Sequence, residues 1–175
     1  SAKGMANGYS MAMTVTRPDL AAKWKGATIS TFGGNPISSA ASLATIEAIV
    51  DEGLPHNAAV TGARLRERLL GMQEKYAVIG DVRGMGLMQA IELVEDRETK
   101  APATAATAAL MEAARENRLL IGRGGIDGNV IRVTPPLNIS KSDVDDFAER
   151  LSASFGYIER SDHGRKSVLS RIENH

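Results

Sequence analysis

The chain has 175 residues, 43% of them hydrophobic and 24% charged, the range of an ordinary globular domain. Its 21 Lys and Arg balance 21 Asp and Glu, so there is no basic field to gather nucleic acid, and no apolar run approaches the roughly 18 residues a membrane-spanning helix needs. The absence of cysteine excludes disulfides and thiolate metal sites, His56, His163 and His175 lack metal-ligand spacing, and the expected compartment is the cytoplasm.

Residues 1–10 are rich in glycine and small side chains and read as a loop. Met11 to Thr16 predicts a short strand, and Pro18 starts a short helix toward Trp24, because proline fits a first helical turn. Residues 26–35 read as loop. Asn35-Pro36 is an N-cap followed by proline at the first helical position, and Leu43, Ile46, Ile49 and Val50 give that helix an apolar stripe before Gly53 and Pro55 stop it. A second helix follows from about His56, with Leu65, Leu69, Met72 and Tyr76 at helical spacing.

From Val78 the period changes. Residues 78–83 and 87–94 predict two strands separated by Gly84-Met85-Gly86. A charged loop over 95–102 precedes an alanine-rich helix over 103–117, then a short apolar strand at Leu119-Leu120-Ile121. Residues 122–128 read as a glycine-rich turn and 129–133 as another strand. Ser140 with Asp143 resembles a capping box for a last helix whose inner face would carry Val144, Phe147, Leu151 and Phe155. The order helix, strands, helix, strands, helix predicts an α/β fold of the α+β kind, built as one small domain. The polar residues 161–175 read as a mobile tail.

Three places have residues suited to chemistry. Lys3, between Ala2 and Gly4, offers an amine that small neighbours leave accessible to a carbonyl. Thr31-Phe32-Gly33-Gly34-Asn35-Pro36 combines a hydroxyl, two glycines able to present successive N–H groups and the positive end of a helix, the parts of a phosphate cradle. Arg132, on the strand that leads into Thr134-Pro135-Pro136-Leu137, offers a two-pronged donor for a carboxylate, though a surface arginine on an edge strand is the commoner occurrence. Gly122-Arg123-Gly124-Gly125 lacks the spacing of a dinucleotide loop, and Arg123 is a weaker candidate to face a substrate.

Ala2-Lys3-Gly4-Met5-Ala6-Asn7-Gly8, Thr31 to Pro36 and Ile131 to Leu137, in that order over about residues 2–158, together resemble the class III (omega-type) aminotransferases, which use pyridoxal 5'-phosphate. The resemblance implies that Lys3 is the Schiff-base lysine and proton shuttle and that Thr31 and Gly33 bind the cofactor phosphate, Thr31 across a dimer. It further implies that Arg132 anchors the substrate carboxylate. The implied reaction moves an amino group from an amine-bearing donor to a keto acid, in a homodimer or larger assembly, with no nucleic acid and no membrane.

It also implies a C-terminal part of a fold-type I transferase. Residues 1–53 would be the remnant of the large cofactor-binding domain, 54–160 the small C-terminal domain and 161–175 the tail. The upstream phosphate loop, the aromatic that stacks on the cofactor ring and the aspartate that pairs with its nitrogen match no residue here, so a fragment or a truncated product is expected. Residues 1–35 are then expected to be disordered or re-paired in an oligomer. The competing expectation is a non-catalytic folded module that serves structure or dimerisation.

Overall fold

The computed structural model describes the backbone of residues 1–172 and the side chains of residues 1–159. It divides into two compact units, Ser1–Pro55 and His56–His175, each described by itself below.

In the first unit a short 3-10 turn, Lys3–Ala6, is followed by a four-residue helix α1, Pro18–Ala21, and by α2, Pro36–Asp51. The strand expected over 11–16 does not form. Residues 11–17 have no regular structure, and Met13 is tied only to the chain start, accepting from the Ser1 ammonium at 2.8 Å and donating to the Ser1 carbonyl at 2.9 Å. Alternating apolar side chains make a strand only where a neighbouring ladder receives them.

Helix α2 begins as its sequence dictates. Asn35 Oδ1 accepts from the Ser38 N–H at 3.0 Å and Pro36 occupies the first turn. Its apolar stripe, however, is not its packed face. Leu43, Ile46 and Val50 are exposed, whereas Ser38 and Ser42 are buried on the side that meets the 3-10 turn, against the fully buried Ala6. Small side chains allow that close approach, and they leave the Ser42 hydroxyl buried without a partner.

The second unit is a two-layer α/β arrangement. Helix α3, Leu54–Lys75, leads to the hairpin of β1, Ile79–Met85, and β2, Met88–Leu93; helix α4, Thr104–Glu116, leads to the hairpin of β3, Gly122–Gly124, and β4, Val130–Val133. Helix α5, Lys141–Ile172, closes the order. The four strands form one antiparallel sheet in the order β1-β2-β4-β3. Val82, Ile91 and Ile131 face inward and pack with Leu65, Leu69, Leu110, Val144 and Leu151 from the helices. The expected stripes of α3 and α5 are the packed faces, and Phe147 is half-buried at the margin. Tyr76 stacks on Phe155 with ring centroids 5.1 Å apart, and its hydroxyl reaches Ser152, so this aromatic is both packed and satisfied.

The joints between elements are polar. Arg97 donates to the carbonyls of Gln73, Tyr76, Ala77 and Ile79, gathering acceptors that the end of α3 and the entry to β1 leave open. The Ser140–Asp143 capping box forms in both directions, at 3.2 and 3.1 Å. The expected strand at 119–121 gives way to β3 three residues later. Leu120 is exposed, and residues 125–129 form the connection to β4. Of the tail expected over 161–175, the backbone as far as Ile172 belongs to α5; residues 173–175 lie outside the described residues. Among the described residues no helix is long and apolar enough to cross a membrane.

Candidate active site

Lys3 and Gly33 line one cleft of about 680 Å³ in the first unit, with Tyr9, Ser30, Gly34 and Asn35. Lys3 has a left-handed backbone, φ +60, a conformation that costs a non-glycine residue on the order of 1–2 kcal/mol. The chain turns again at Asn7, φ +46, and at Gly8, φ +108, and Ala6 just before them is fully buried. The lysine therefore sits at the start of a tight turn anchored on α2, with its side chain exposed.

The opposite wall is the turn that enters α2. Gly33 donates to the Ser30 carbonyl at 3.2 Å, and a Cβ at Gly33 would come within 2.9 Å of the Ser30 side chain, so glycine fits the tight closure. Gly34 has φ +69, where a side chain is strained. Asn35 fastens this turn to the helix: its Nδ2 donates to the Phe32 carbonyl at 3.0 Å and to Ser38 Oγ at 3.1 Å. The N-terminus of the 16-residue α2 thus opens beside a glycine pair, and none of the described hydrogen bonds uses the Gly34 N–H. An amine on one wall and N–H donors with a helix dipole on the other suit a molecule bearing an aldehyde and a phosphate, as pyridoxal phosphate does. Thr31 is exposed and is not among the residues lining this cleft.

Arg132 belongs to the second unit. It is exposed on β4, paired across the sheet with Ala90 of β2 and with Gly122 of β3. One strand further, Arg83 stands opposite Ala90 in the same row. The two arginines differ in their surroundings. Arg83 donates to Asp81 at 2.8 Å and to Glu92 at 2.6 Å, and these hydrogen bonds, Asp81 first and Glu92 next, raise its pKa further above neutrality. The Arg132 guanidinium has no hydrogen bond or ion pair among the described residues, so it is free for an incoming anion. Arg123 alternates to the other side of β3 and donates to the Gly128 carbonyl at 2.6 Å; it holds its own hairpin and does not join Arg132.

Sequence reasoning passed over Tyr9 as a lining residue, although its place just after the Asn7-Gly8 turn was a usable signal. It also could not separate Arg132 from Arg83, because the difference lies in which acids the sheet register brings beside each.

The family model described as aminotransferase class-III matches residues 1–155. The chain is 46% identical over 154 residues to "Alanine--glyoxylate aminotransferase 2 homolog 2, mitochondrial" of Arabidopsis thaliana, covering 87% of this chain and 32% of that protein. It is 35% identical over 147 residues to "Alanine--glyoxylate aminotransferase 2, mitochondrial" of Pongo abelii, covering 82% of this chain and 29% of that one. Among solved structures, a Bacillus anthracis aminotransferase superposes with a TM-score of 0.71 at 35% identity, covering 77% of this chain and 32% of its own. An amine transaminase from an uncultivated Pseudomonas species, solved in its PLP-bound form, superposes with a TM-score of 0.68 at 36% identity, covering 74% and 29%. The chain thus spans about a third of the length of these relatives. The chain belongs to the class-III aminotransferase family.

Proposed function

We propose that the protein containing this chain is an aminotransferase that moves an amino group from L-alanine to glyoxylate, forming pyruvate and glycine. The observation that carries the reading is the cleft shared by Lys3 and the Gly33–Asn35 turn, in a chain of this family. The choice of donor and acceptor follows the names of the Arabidopsis thaliana and Pongo abelii relatives.

Pyridoxal phosphate, when bound, supplies an aldehyde that condenses with amines and a ring that accepts an electron pair. The chain's own residues do the rest. Lys3 Nζ would hold the aldehyde of that group and, when free, would take the proton from the donor's α-carbon. The Gly34 N–H and the positive end of α2 would hold its phosphate. Thr31, exposed and outside the lining of this cleft, serves the phosphate held by a second copy of the chain, which makes the working unit a homodimer or larger. Arg132, in the second unit, offers two parallel hydrogen bonds to a substrate carboxylate, a charged pair contributing roughly 1.5–3 kcal/mol.

Location in the cytoplasm belongs to the same proposal; since the relatives cited bear the word mitochondrial in their names, cell fractionation decides it. The span of about a third of each relative favours a second reading for the chain taken alone. In it the chain is a non-catalytic folded module that serves structure or dimerisation.

The test is to supply the polypeptide that contains this chain with pyridoxal phosphate, L-alanine and glyoxylate. Pyruvate and glycine are expected to appear in equal amounts, and neither with Lys3→Ala. Equal product formation in Lys3→Ala and in the parent would contradict the assignment.

A further inference from the structure

Glycine at positions 122 and 124 is not required by the backbone of β3. Neither residue has φ in the left-handed region, where glycine would be favoured. Strands ordinarily favour β-branched residues, and glycine at a paired position weakens the ladder or marks the close approach of another group. The approaching group is Arg132. A Cβ on Gly124 would lie 3.0 Å from Arg132 Cδ and 3.5 Å from Cγ, so the arginine stem lies across the bare backbone of Gly124. A Cβ on Gly122 would meet Arg132 Cβ at 3.6 Å, an ordinary contact.

The stem's course matters because of what stands on the other side. Toward β1 and β2 the same sheet face holds Asp81 and Glu92, both engaged by Arg83. By leaning over Gly124, which belongs to the edge strand, Arg132 keeps its guanidinium away from those acids and open to an external carboxylate.

We propose that Gly124 is a positioning residue: its missing side chain seats the Arg132 stem over β3 and so sets the guanidinium's grip on a ligand carboxylate. This rests on the reading of Arg132 as the carboxylate anchor. A side chain at position 124 has two opposed effects, favouring the strand while displacing the arginine.

The test uses the whole 175-residue chain, ¹⁵N-labelled, with the Arg132 Nε–Hε resonance identified by its loss in Arg132→Lys and titrated with sodium propionate against sodium chloride. In the parent, propionate is expected to move this resonance. In Gly124→Val the apparent affinity falls roughly tenfold, the equivalent of about 1.4 kcal/mol, with thermal stability equal or higher. Gly122→Ala stays within about twofold of the parent, because its new methyl makes only an ordinary contact.

An undiminished response in Gly124→Val overturns the seat and leaves Arg132 as the anchor. Equal weakening in Gly124→Val and Gly122→Ala also overturns it, by showing a general effect of strand glycines. No response in the parent overturns the reading of Arg132 itself, and the seat with it.

Discussion

Gly62 on α3 and Gly86 in the turn between β1 and β2 meet backbone to backbone: a Cβ built on Gly62 would lie 2.3 Å from the Gly86 carbonyl carbon and 2.4 Å from its oxygen. No rotamer change relieves such an overlap, since the obstacle is main chain. Gly86 itself has φ +53, a conformation that glycine adopts without strain. Gly62→Ala is expected to destabilise the second unit by about 1–3 kcal/mol, the cost of overpacking. Equilibrium urea unfolding of the two proteins checks this, and an unchanged midpoint would show that the turn moves freely.

Asp145 links α5 to α3 by accepting from Arg64 Nε at 2.9 Å and from Arg68 Nε at 3.1 Å. The Arg64 hydrogen bond holds the Asp145 carboxyl below its ordinary pKa, Arg68 adds to it, and partial desolvation opposes both. A carboxyl with a lowered folded pKa contributes stability above its unfolded pKa, near 4, and loses it as pH falls through the lower folded value. Asp145→Asn should therefore melt below the parent at pH 7, with the two melting temperatures converging in the acid range. A difference that stays constant down to pH 2 would mean that the linkage is not electrostatic.

Asn35 ties the candidate phosphate turn to α2 through its N-cap bond to the Ser38 N–H and its bond to the Phe32 carbonyl. Removing a cap of this kind costs about 1 kcal/mol. Asn35→Ala is expected to speed hydrogen exchange at the Ser38 amide several-fold and to weaken pyridoxal phosphate binding. Unchanged exchange at Ser38 would show that the helix start does not depend on the cap.

The parts of the fold legible in the sequence are those where one periodicity coincides with one packed face. Leu65, Leu69, Met72 and Tyr76 recur at helical spacing and all are buried, because the sheet lies along that side of α3. On α2 the same reasoning picked the exposed side. There the packed face is made of Ser38 and Ser42, and close approach of backbones selected small side chains over apolar ones. The edge strand was misplaced by three residues because its pairing with β4 uses backbone groups and a loop turned at Gly125, φ +83, and Gly128, φ +65. The hydrophobicity of Leu119 to Ile121 says nothing about that register.

The candidate site was legible through motifs rather than periodicity. Lys3, Thr31, Gly33 and Arg132 were singled out as members of short segments, and the structure brings Lys3 and Gly33 to one cleft with Thr31 beside its turn. That Arg132 is free while Arg83 is occupied depends on strand register, which short segments do not reveal.

The most direct test of the central claim is covalent capture at Lys3. The purified chain is mixed with pyridoxal phosphate, its absorbance followed, the mixture reduced with borohydride and the adduct located by peptide mass. A new absorbance band and a reduced pyridoxyl group on Lys3 are expected, with band and adduct lost in Lys3→Ala and retained in the other lysine variants. An adduct spread evenly over surface lysines, unchanged by Lys3→Ala, would contradict it.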